Sequence, residues 1–193
     1  MERLGNKFET FATLAFSGAT FPFWAFAIFA VQTTYTAIHP LIQYAVAVFF
    51  TGLLPTSIIY YSYKKGRIDI NYSDRIKRKK FYALVELFYS AAALILIYLN
   101  AHDLAYLAVC YAVVNIAMFA INWKWKISAH TAGSAGPATA AVLVFGPVWA
   151  VLYFIPLFFI YLRHKQKAHT YAQLAAGIAV AVVVTYLTFL VFY

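Results

Sequence analysis

Long apolar runs separated by short polar stretches make up almost the whole chain. Five of these runs hold about 20 residues, the length that a helix needs to cross a bilayer, and they cover 10–32, 41–63, 81–99, 103–122 and 170–192. A further apolar region, 131–162, is either one long helix or two shorter helices that break at Gly146-Pro147, because proline lacks the N–H that a helix interior requires. The pattern predicts an all-α transmembrane bundle that forms a single domain over 1–193.

The positions of the positive charges distinguish six spans from seven. All fifteen Lys and Arg residues fall into four groups, which lie before the first run, after the second, after the fourth, and between residues 162 and 168. Seven spans place all fifteen on one side of the membrane, whereas six spans move three of them to the other side. Because positively charged loops stay in the cytoplasm, we expect about seven spans in the cell membrane. The N-terminus and the basic loops are then cytoplasmic, and the C-terminus lies outside.

The composition supports a membrane location and narrows the choice of partner. Of the 193 residues, 64% are hydrophobic and 11% are charged. A soluble domain carries about a quarter charged residues, so lipid rather than water must surround most of this chain. The net charge is +9. Because the positive residues flank apolar runs, the expected partners are the lipid bilayer and a phosphorylated substrate, and nucleic acid is not expected.

The segment 123–136, which follows the fourth apolar run, carries the groups that an anion site needs. It places Ser128 and His130 at a predicted helix start, where backbone N–H groups attract phosphate. A structural interpretation stays open, in which Ser128 caps the helix and His130 faces a lipid headgroup. In that interpretation Gly133 and Gly136 allow close helix packing.

The segment 163–173, which precedes the last apolar run, is the second candidate. His169 and Gln173 are four residues apart and therefore lie on one face of the last helix. Arg163 lies six residues before His169. The alternative interpretation is a basic stop signal with a histidine that reaches towards the membrane surface. Neither segment decides between its two interpretations on its own.

Taken together, the two segments resemble the type 2 phosphatidic acid phosphatase superfamily of membrane enzymes. Ile127-Ser128-Ala129-His130 is similar to the second signature of that family, Pro-Ser-Gly-His. The third signature, Ser-Arg-x5-His-x3-Asp, is similar to the stretch from Arg163 through His169 to Gln173. The resemblance covers about 75–178, which is the expected phosphatase-like core, and it indicates a divergent prokaryotic member.

The resemblance implies a metal-independent phosphatase that needs no cofactor and acts on a lipid phosphate or a prenyl diphosphate. His169 matches the nucleophile that forms a phosphohistidine, and His130 matches the general acid that protonates the leaving oxygen. Gln173 occupies the position of the family's aspartate, which orients the nucleophile. Phosphate binding is implied for four further residues: Arg163, Ser128, Arg75 and Arg78.

Two departures from the family pattern keep a second function open. The family's carboxylate is replaced by the amide of Gln173, and the lysine of its first signature, Lys-x6-Arg-Pro, has no counterpart here. We therefore expect an enzyme and retain, as the alternative, a noncatalytic phosphatase-like subunit or scaffold of a membrane complex. The resemblance leaves open whether the chain forms homo-oligomers or has partner subunits. The apolar runs hold too few polar residues to favour a transporter.

Polar residues outside the two segments have simpler expected roles. Glu86 lies within an apolar run, where it is either functional or paired with a basic residue such as Arg78. Asn115 is expected to form an interhelical hydrogen bond. We expect no metal site, because the remaining candidates lack a third ligand at suitable spacing; these candidates are His39, His102 and Asp103.

Overall fold

The computed structural model describes residues 20–32, 40–66 and 75–193, with the side chains of 63 and 75–78 left undescribed. Within these ranges the chain is helical and contains no strand, so the all-α fold class is confirmed. The α-helices in chain order are α1 (Phe21–Gln32), α2 (Pro40–Val48), α3 (Leu54–Lys64), α4 (Arg75–Tyr98), α5 (His102–Asn122), α6 (Ala129–Phe145), α7 (Phe154–Lys165) and α8 (Tyr171–Phe192). A π-helical turn, Phe49–Leu53, joins α2 to α3, and a 3-10 helix, Pro147–Tyr153, precedes α7.

Among the residues that the structure describes, five helical segments are long and apolar enough to cross a membrane. They are Pro40–Ser62, Lys79–Tyr98, His102–Asn122, Pro147–Lys165 and Tyr171–Phe192. The described part of α1 has 12 residues and α6 has 17, which at 1.5 Å per residue is about 18 and 25 Å against a hydrocarbon core of about 30 Å. The expected count of seven spans therefore stays a prediction, since the first apolar run begins outside the described residues.

The ambiguous region 131–162 forms a hairpin that turns at Gly146 and Pro147. Gly146 has a φ of +100°, which glycine adopts without strain, and Pro147 begins the 3-10 helix. At the opposite end of the hairpin, the ring of Phe159 in α7 lies 5.4 Å from the ring of His130 in α6. The chain therefore returns to the end of the bundle from which α6 starts.

Helix α6 is an inner helix that packs against α5, α7 and α8. Most of its residues are small and buried, and small side chains allow close approach between helices. The tightest approach is to α8, where a Cβ added to Gly177 would lie 2.7 Å from the carbonyl oxygen of Ser128. Because protein surrounds most of α6, this helix does not need the strongly apolar composition of the five longer segments.

Helices α4 and α5 are joined by a polar contact within their apolar interface. The Asn115 side chain donates through Nδ2 to the Tyr82 carbonyl oxygen at 3.0 Å and to Glu86 Oε2 at 2.8 Å. Ser90 donates to the other carboxylate oxygen at 3.1 Å. The expected interhelical role of Asn115 is confirmed. The proposed partner of Glu86, Arg78, lies outside the described side chains.

The start of α5 and the end of α8 meet at the end of the bundle opposite to the start of α6. The hydroxyl of Tyr193 donates to Asp103, and the ring of His102 lies 5.0 Å from that of Phe192. Burial and this hydrogen bond raise the pKa of the Tyr193 phenol well above its usual value. His102 and Asp103 thus contact aromatic side chains, and among the described residues no three His, Cys, Asp or Glu side chains gather as a metal site would require.

Lysines stack on aromatic rings at the end of the bundle where α6 begins and α7 ends. The closest pair is Lys79 and Trp123, whose ammonium nitrogen and ring centroid are 3.6 Å apart. Similar pairs are Lys64 over Tyr60, Lys65 over Tyr61 and Lys165 over Tyr161. Such pairs are typical of the boundary between lipid and water, so this end of the bundle has the character of a membrane interface.

Candidate functional site

The start of α6 and the start of α8 lie side by side. The backbone nitrogen of Ser128 donates to the carbonyl oxygen of Gln173 at 3.3 Å, and Thr131 Oγ1 donates to the carbonyl oxygen of Leu174 at 3.0 Å. These bonds require the close approach at Gly177. The two segments that resemble family signatures are therefore in contact, although His130 and His169 are 39 residues apart in sequence.

A tight turn connects α7 to α8 and carries His169. The backbone nitrogens of Lys167 and Ala168 donate to the carbonyl oxygens of His164 at 2.9 Å and Arg163 at 3.1 Å. This pair of bonds is a Schellman motif, in which the residue after the helix cap is left-handed. Lys167 occupies that position with a φ of +53°. The turn thus reverses the chain within a few residues and places His169 directly before α8.

His169 and Gln173 form the side-chain contact that the sequence predicts. His169 Nδ1 lies 3.2 Å from Gln173 Oε1. The same oxygen accepts the backbone N–H of Thr170 at 3.2 Å, and Thr170 Oγ1 accepts from the nitrogen of Gln173 at 3.3 Å. This reciprocal arrangement is a capping box, which satisfies two backbone donors at the start of a helix. Gln173 therefore both caps α8 and contacts the imidazole.

The capping box determines which nitrogen of His169 carries the proton in the neutral ring. The backbone N–H of Thr170 can only donate, so the amide atom that faces it must be the oxygen of Gln173. An oxygen in that place can only accept from His169, so Nδ1 must be the protonated nitrogen. The lone pair of the neutral ring is then on Nε2. An amide at this position fixes the same tautomer that a carboxylate would.

A lysine links the α5–α6 connection to the turn that holds His169. The ammonium of Lys126 donates to the carbonyl oxygen of Ala168 at 2.9 Å, across 42 residues of sequence. Across the same turn, the rings of His164 and Tyr171 stack with centroids 3.7 Å apart. The backbone before His169 is therefore held from the neighbouring segment as well as from its own helix.

These elements line an open cavity at the protein surface, of about 590 Å³, whose wall is strongly basic. Its lining consists of Lys126, His164, Lys165, Lys167, Ala168, His169, Thr170 and Gln173. Three of these side chains are ammonium groups, two are imidazoles, and none is acidic. Because several positive charges on one wall attract anions, the cavity suits a phosphate or another anionic group.

Three of the sequence-predicted residues lie near this cavity but are not among the described residues that line it. Ser128 is fully buried, and its hydroxyl accepts from the backbone nitrogen of Thr131 at 3.4 Å, which is the capping role that the sequence left open. Arg163 is 2% exposed and donates through Nη1 to Gln166 Oε1 at 2.7 Å. His130 is half-buried, with its ring against Phe159.

The first-signature candidates cannot be placed in the site. Arg75 and Arg78 belong to the first turn of α4, and their side chains lie outside the described residues. The ends of α6, α7 and α8, which carry the other predicted residues, meet at one end of the bundle. Of the predicted residues whose side chains are described, only His169 and Gln173 reach the cavity wall.

Sequence reasoning missed the structural roles of three residues here, which are Thr170, Lys126 and His164. Thr170 and Gln173 are spaced as a capping box, and that signal is readable from sequence. His164 gave no signal beyond its place in a basic segment.

Comparisons with protein-family models, with curated proteins and with solved structures find no match to this chain. Fold alone does not specify function, so the chemistry of the cavity is what indicates a function for this chain.

Proposed function

We propose that this chain is a metal-independent membrane phosphatase that acts on a lipid phosphate or prenyl diphosphate. The observation that supports this function best is the contact between His169 and Gln173 on the wall of a basic cavity. A histidine becomes a nucleophile when one nitrogen is protonated and held and the other carries the lone pair. The capping box supplies that arrangement, and the surrounding ammonium groups neutralise the phosphate that would be attacked.

In the proposed reaction the phosphoryl group is transferred twice. His169 Nε2 attacks phosphorus, the bond from phosphorus to the lipid oxygen breaks, and that oxygen takes a proton from His130. Water then attacks the phosphohistidine, gives a proton to His130, and releases inorganic phosphate and the free imidazole. Each step exchanges one bond at phosphorus and moves one proton, so no metal or redox partner is needed.

The proposal gives Arg163 and Ser128 a role in binding the equatorial phosphate oxygens, together with Arg75 or Arg78. Arg163 belongs to the end of α7 that forms the turn, and its carbonyl oxygen already accepts from Ala168. Contacts in catalytic sites are often completed only when substrate is present. The proposal therefore requires the Arg163 guanidinium and the His130 ring to turn towards bound phosphate.

We also propose seven spans, with the cavity at the cytoplasmic interface and the C-terminus outside. The one-sided distribution of Lys and Arg supports this orientation. In this arrangement a lipid tail lies among the helices while its phosphate reaches the basic wall. The stacked lysine and aromatic pairs near the same end support a position at membrane level.

A noncatalytic anion-binding subunit is the second candidate, and one observation favours it. Arg163 and Ser128 are buried and hydrogen-bonded within the protein rather than directed to the cavity. A protein of this kind would bind the phosphate group of a lipid through its ammonium groups and would leave the phosphorus–oxygen bond intact.

Phosphate release distinguishes the two candidates. Purified protein in one detergent is given phosphatidic acid or a prenyl diphosphate, and wild type is compared with His169→Ala and His130→Ala. We expect both variants to fall to the background rate. His102→Ala, at the opposite end of the bundle, is the matched control and is expected to keep wild-type activity. Equal rates for wild type and His169→Ala on every lipid phosphate tried would refute the phosphatase and leave the binding subunit.

A further inference from the structure

We propose that Lys126 is a positioning residue that holds the turn before α8, so that His169 faces the cavity in one orientation. The inference rests on the proposed function, because it assigns the way in which the nucleophile of that reaction is placed. Lys126 comes from a different segment of the chain and lines the same cavity as His169. Its ammonium donates to the carbonyl oxygen of Ala168, the residue just before His169.

The turn needs an external hold because its own backbone is in a disfavoured conformation. Lys167 adopts a positive φ, a region that residues with a Cβ rarely enter. Such conformations persist when surrounding contacts determine them. The N–H of Ala168 is bonded within the turn, to Arg163, whereas its carbonyl oxygen is bonded to Lys126. The peptide between Ala168 and His169 is thereby fixed on its carbonyl side by a residue of the neighbouring segment.

A lysine suits this task for two reasons. Its long, flexible side chain spans the gap from the α5–α6 connection, and a charged donor forms a stronger hydrogen bond than a neutral one. The same ammonium also forms part of the cavity wall. A single side chain therefore couples the segment of Ser128 and His130 to the orientation of His169.

The test compares wild type with Lys126→Met, which removes the donor but keeps an unbranched side chain of similar length, and with Lys126→Arg, which keeps a charged donor. Lys124→Met is the matched control, because Lys124 is exposed on the same connection and does not line the cavity. On a prenyl diphosphate, we expect Lys126→Met to lower kcat by about tenfold or more, by analogy with the partners that orient metal-bound histidines, with a smaller change in KM. Lys126→Arg should recover most of that loss, and Lys124→Met should match wild type.

A second readout does not depend on activity. Carbethoxylation of His169 by diethyl pyrocarbonate is followed by mass spectrometry at pH 8, without substrate. His169 is 7% exposed in the intact turn, so release of the turn should make Lys126→Met react several times faster than wild type. Lys126→Arg and Lys124→Met should react at the wild-type rate. If Lys126→Met is not recovered as folded protein, Lys126→Gln, with a shorter neutral donor, replaces it and is expected to react faster than Lys126→Arg.

The two readouts separate failure of this inference from failure of the proposed function. Wild-type phosphate release no faster than that of His169→Ala refutes the phosphatase, and the labelling rates still decide whether Lys126 holds the turn. Equal labelling of wild type and Lys126→Met overturns the positioning role even if activity falls. The positioning role is also overturned if kcat falls in Lys126→Met and Lys126→Arg does not restore it. An equal fall of kcat in Lys124→Met would overturn it as well.

Discussion

Gln173 Oε1 lies 3.2 Å from Nδ1 of His169 while it accepts the N–H that opens helix α8. The imidazole is therefore fixed to the backbone of a helix by a single oxygen atom. A side chain that only contacted the ring would be free to rotate its amide, and the protonated nitrogen of His169 would then be undetermined. Here the helix start removes that freedom.

Gln173 variants test this arrangement through activity. Replacement by Asp restores a carboxylate that can stabilise an imidazolium, so turnover should rise or at least be preserved. Replacement by Leu removes the acceptor, and turnover should fall about 10–100-fold, the range seen for orienting partners of histidine ligands. Phosphate release in one detergent on one prenyl diphosphate measures both. A Leu variant with wild-type turnover would show that the contact has no part in catalysis.

Gly177→Ala tests the contact between α6 and α8. The added methyl group would lie 2.7 Å from the carbonyl oxygen of Ser128, so the helices must separate, and we expect a loss of about 1–3 kcal/mol in unfolding free energy. Gly136→Ala is the control, because its methyl group would make an ordinary contact of 3.4 Å with Thr185 Oγ1.

Thermal unfolding of both glycine variants in detergent provides the measurement. Gly136→Ala is expected to keep the stability or raise it by up to about 0.5–1 kcal/mol, since alanine favours a helix over glycine by that amount. Equal destabilisation by the two substitutions would contradict the close approach at Gly177.

Lys167 variants test the left-handed position in the turn. Lys167→Gly relieves the steric conflict at a φ of +53°, whereas Lys167→Ala keeps it, and both remove the same charge. We expect the glycine variant to be more stable than the alanine variant by about 1 kcal/mol. Chemical denaturation of the two proteins under identical conditions gives this difference directly. A more stable alanine variant would mean that the turn adopts another conformation in solution.

Cysteine labelling tests the hairpin and the number of spans. The chain has one cysteine, Cys110, which is buried, so Cys110→Ser provides the background. With seven spans, a cysteine at the exposed Val148 should react with an impermeant reagent from outside intact cells, and a cysteine at Lys165 should react only after permeabilisation. Labelling of Val148→Cys only after permeabilisation would show that the hairpin does not reach the outer surface.

The sequence predicted the helices well because run length and Gly-Pro breaks are local signals. The hairpin at Gly146 and the contact between His169 and Gln173 both follow from such signals. Span number was harder, because an inner helix such as α6 is shielded by protein and does not need to be strongly apolar. The directions of the Ser128 and Arg163 side chains could not be predicted, because each depends on the hydrogen-bond partner that the folded chain supplies. The Ser128 hydroxyl accepts from the N–H of Thr131, and the Arg163 guanidinium donates to the amide oxygen of Gln166.

The single turn at Gly146 gives the α6–α7 hairpin the geometry of a lever. Helix α6 is about 25 Å long at 1.5 Å per residue, so a rotation of about 2–3° at the turn displaces its far end by about 1 Å. That far end carries His130, and its partner α7 carries Arg163. A displacement of about 1 Å separates productive from unproductive placement of reacting groups. A small rotation at this apolar turn is thus expected to be amplified at the end of the bundle that carries the basic cavity.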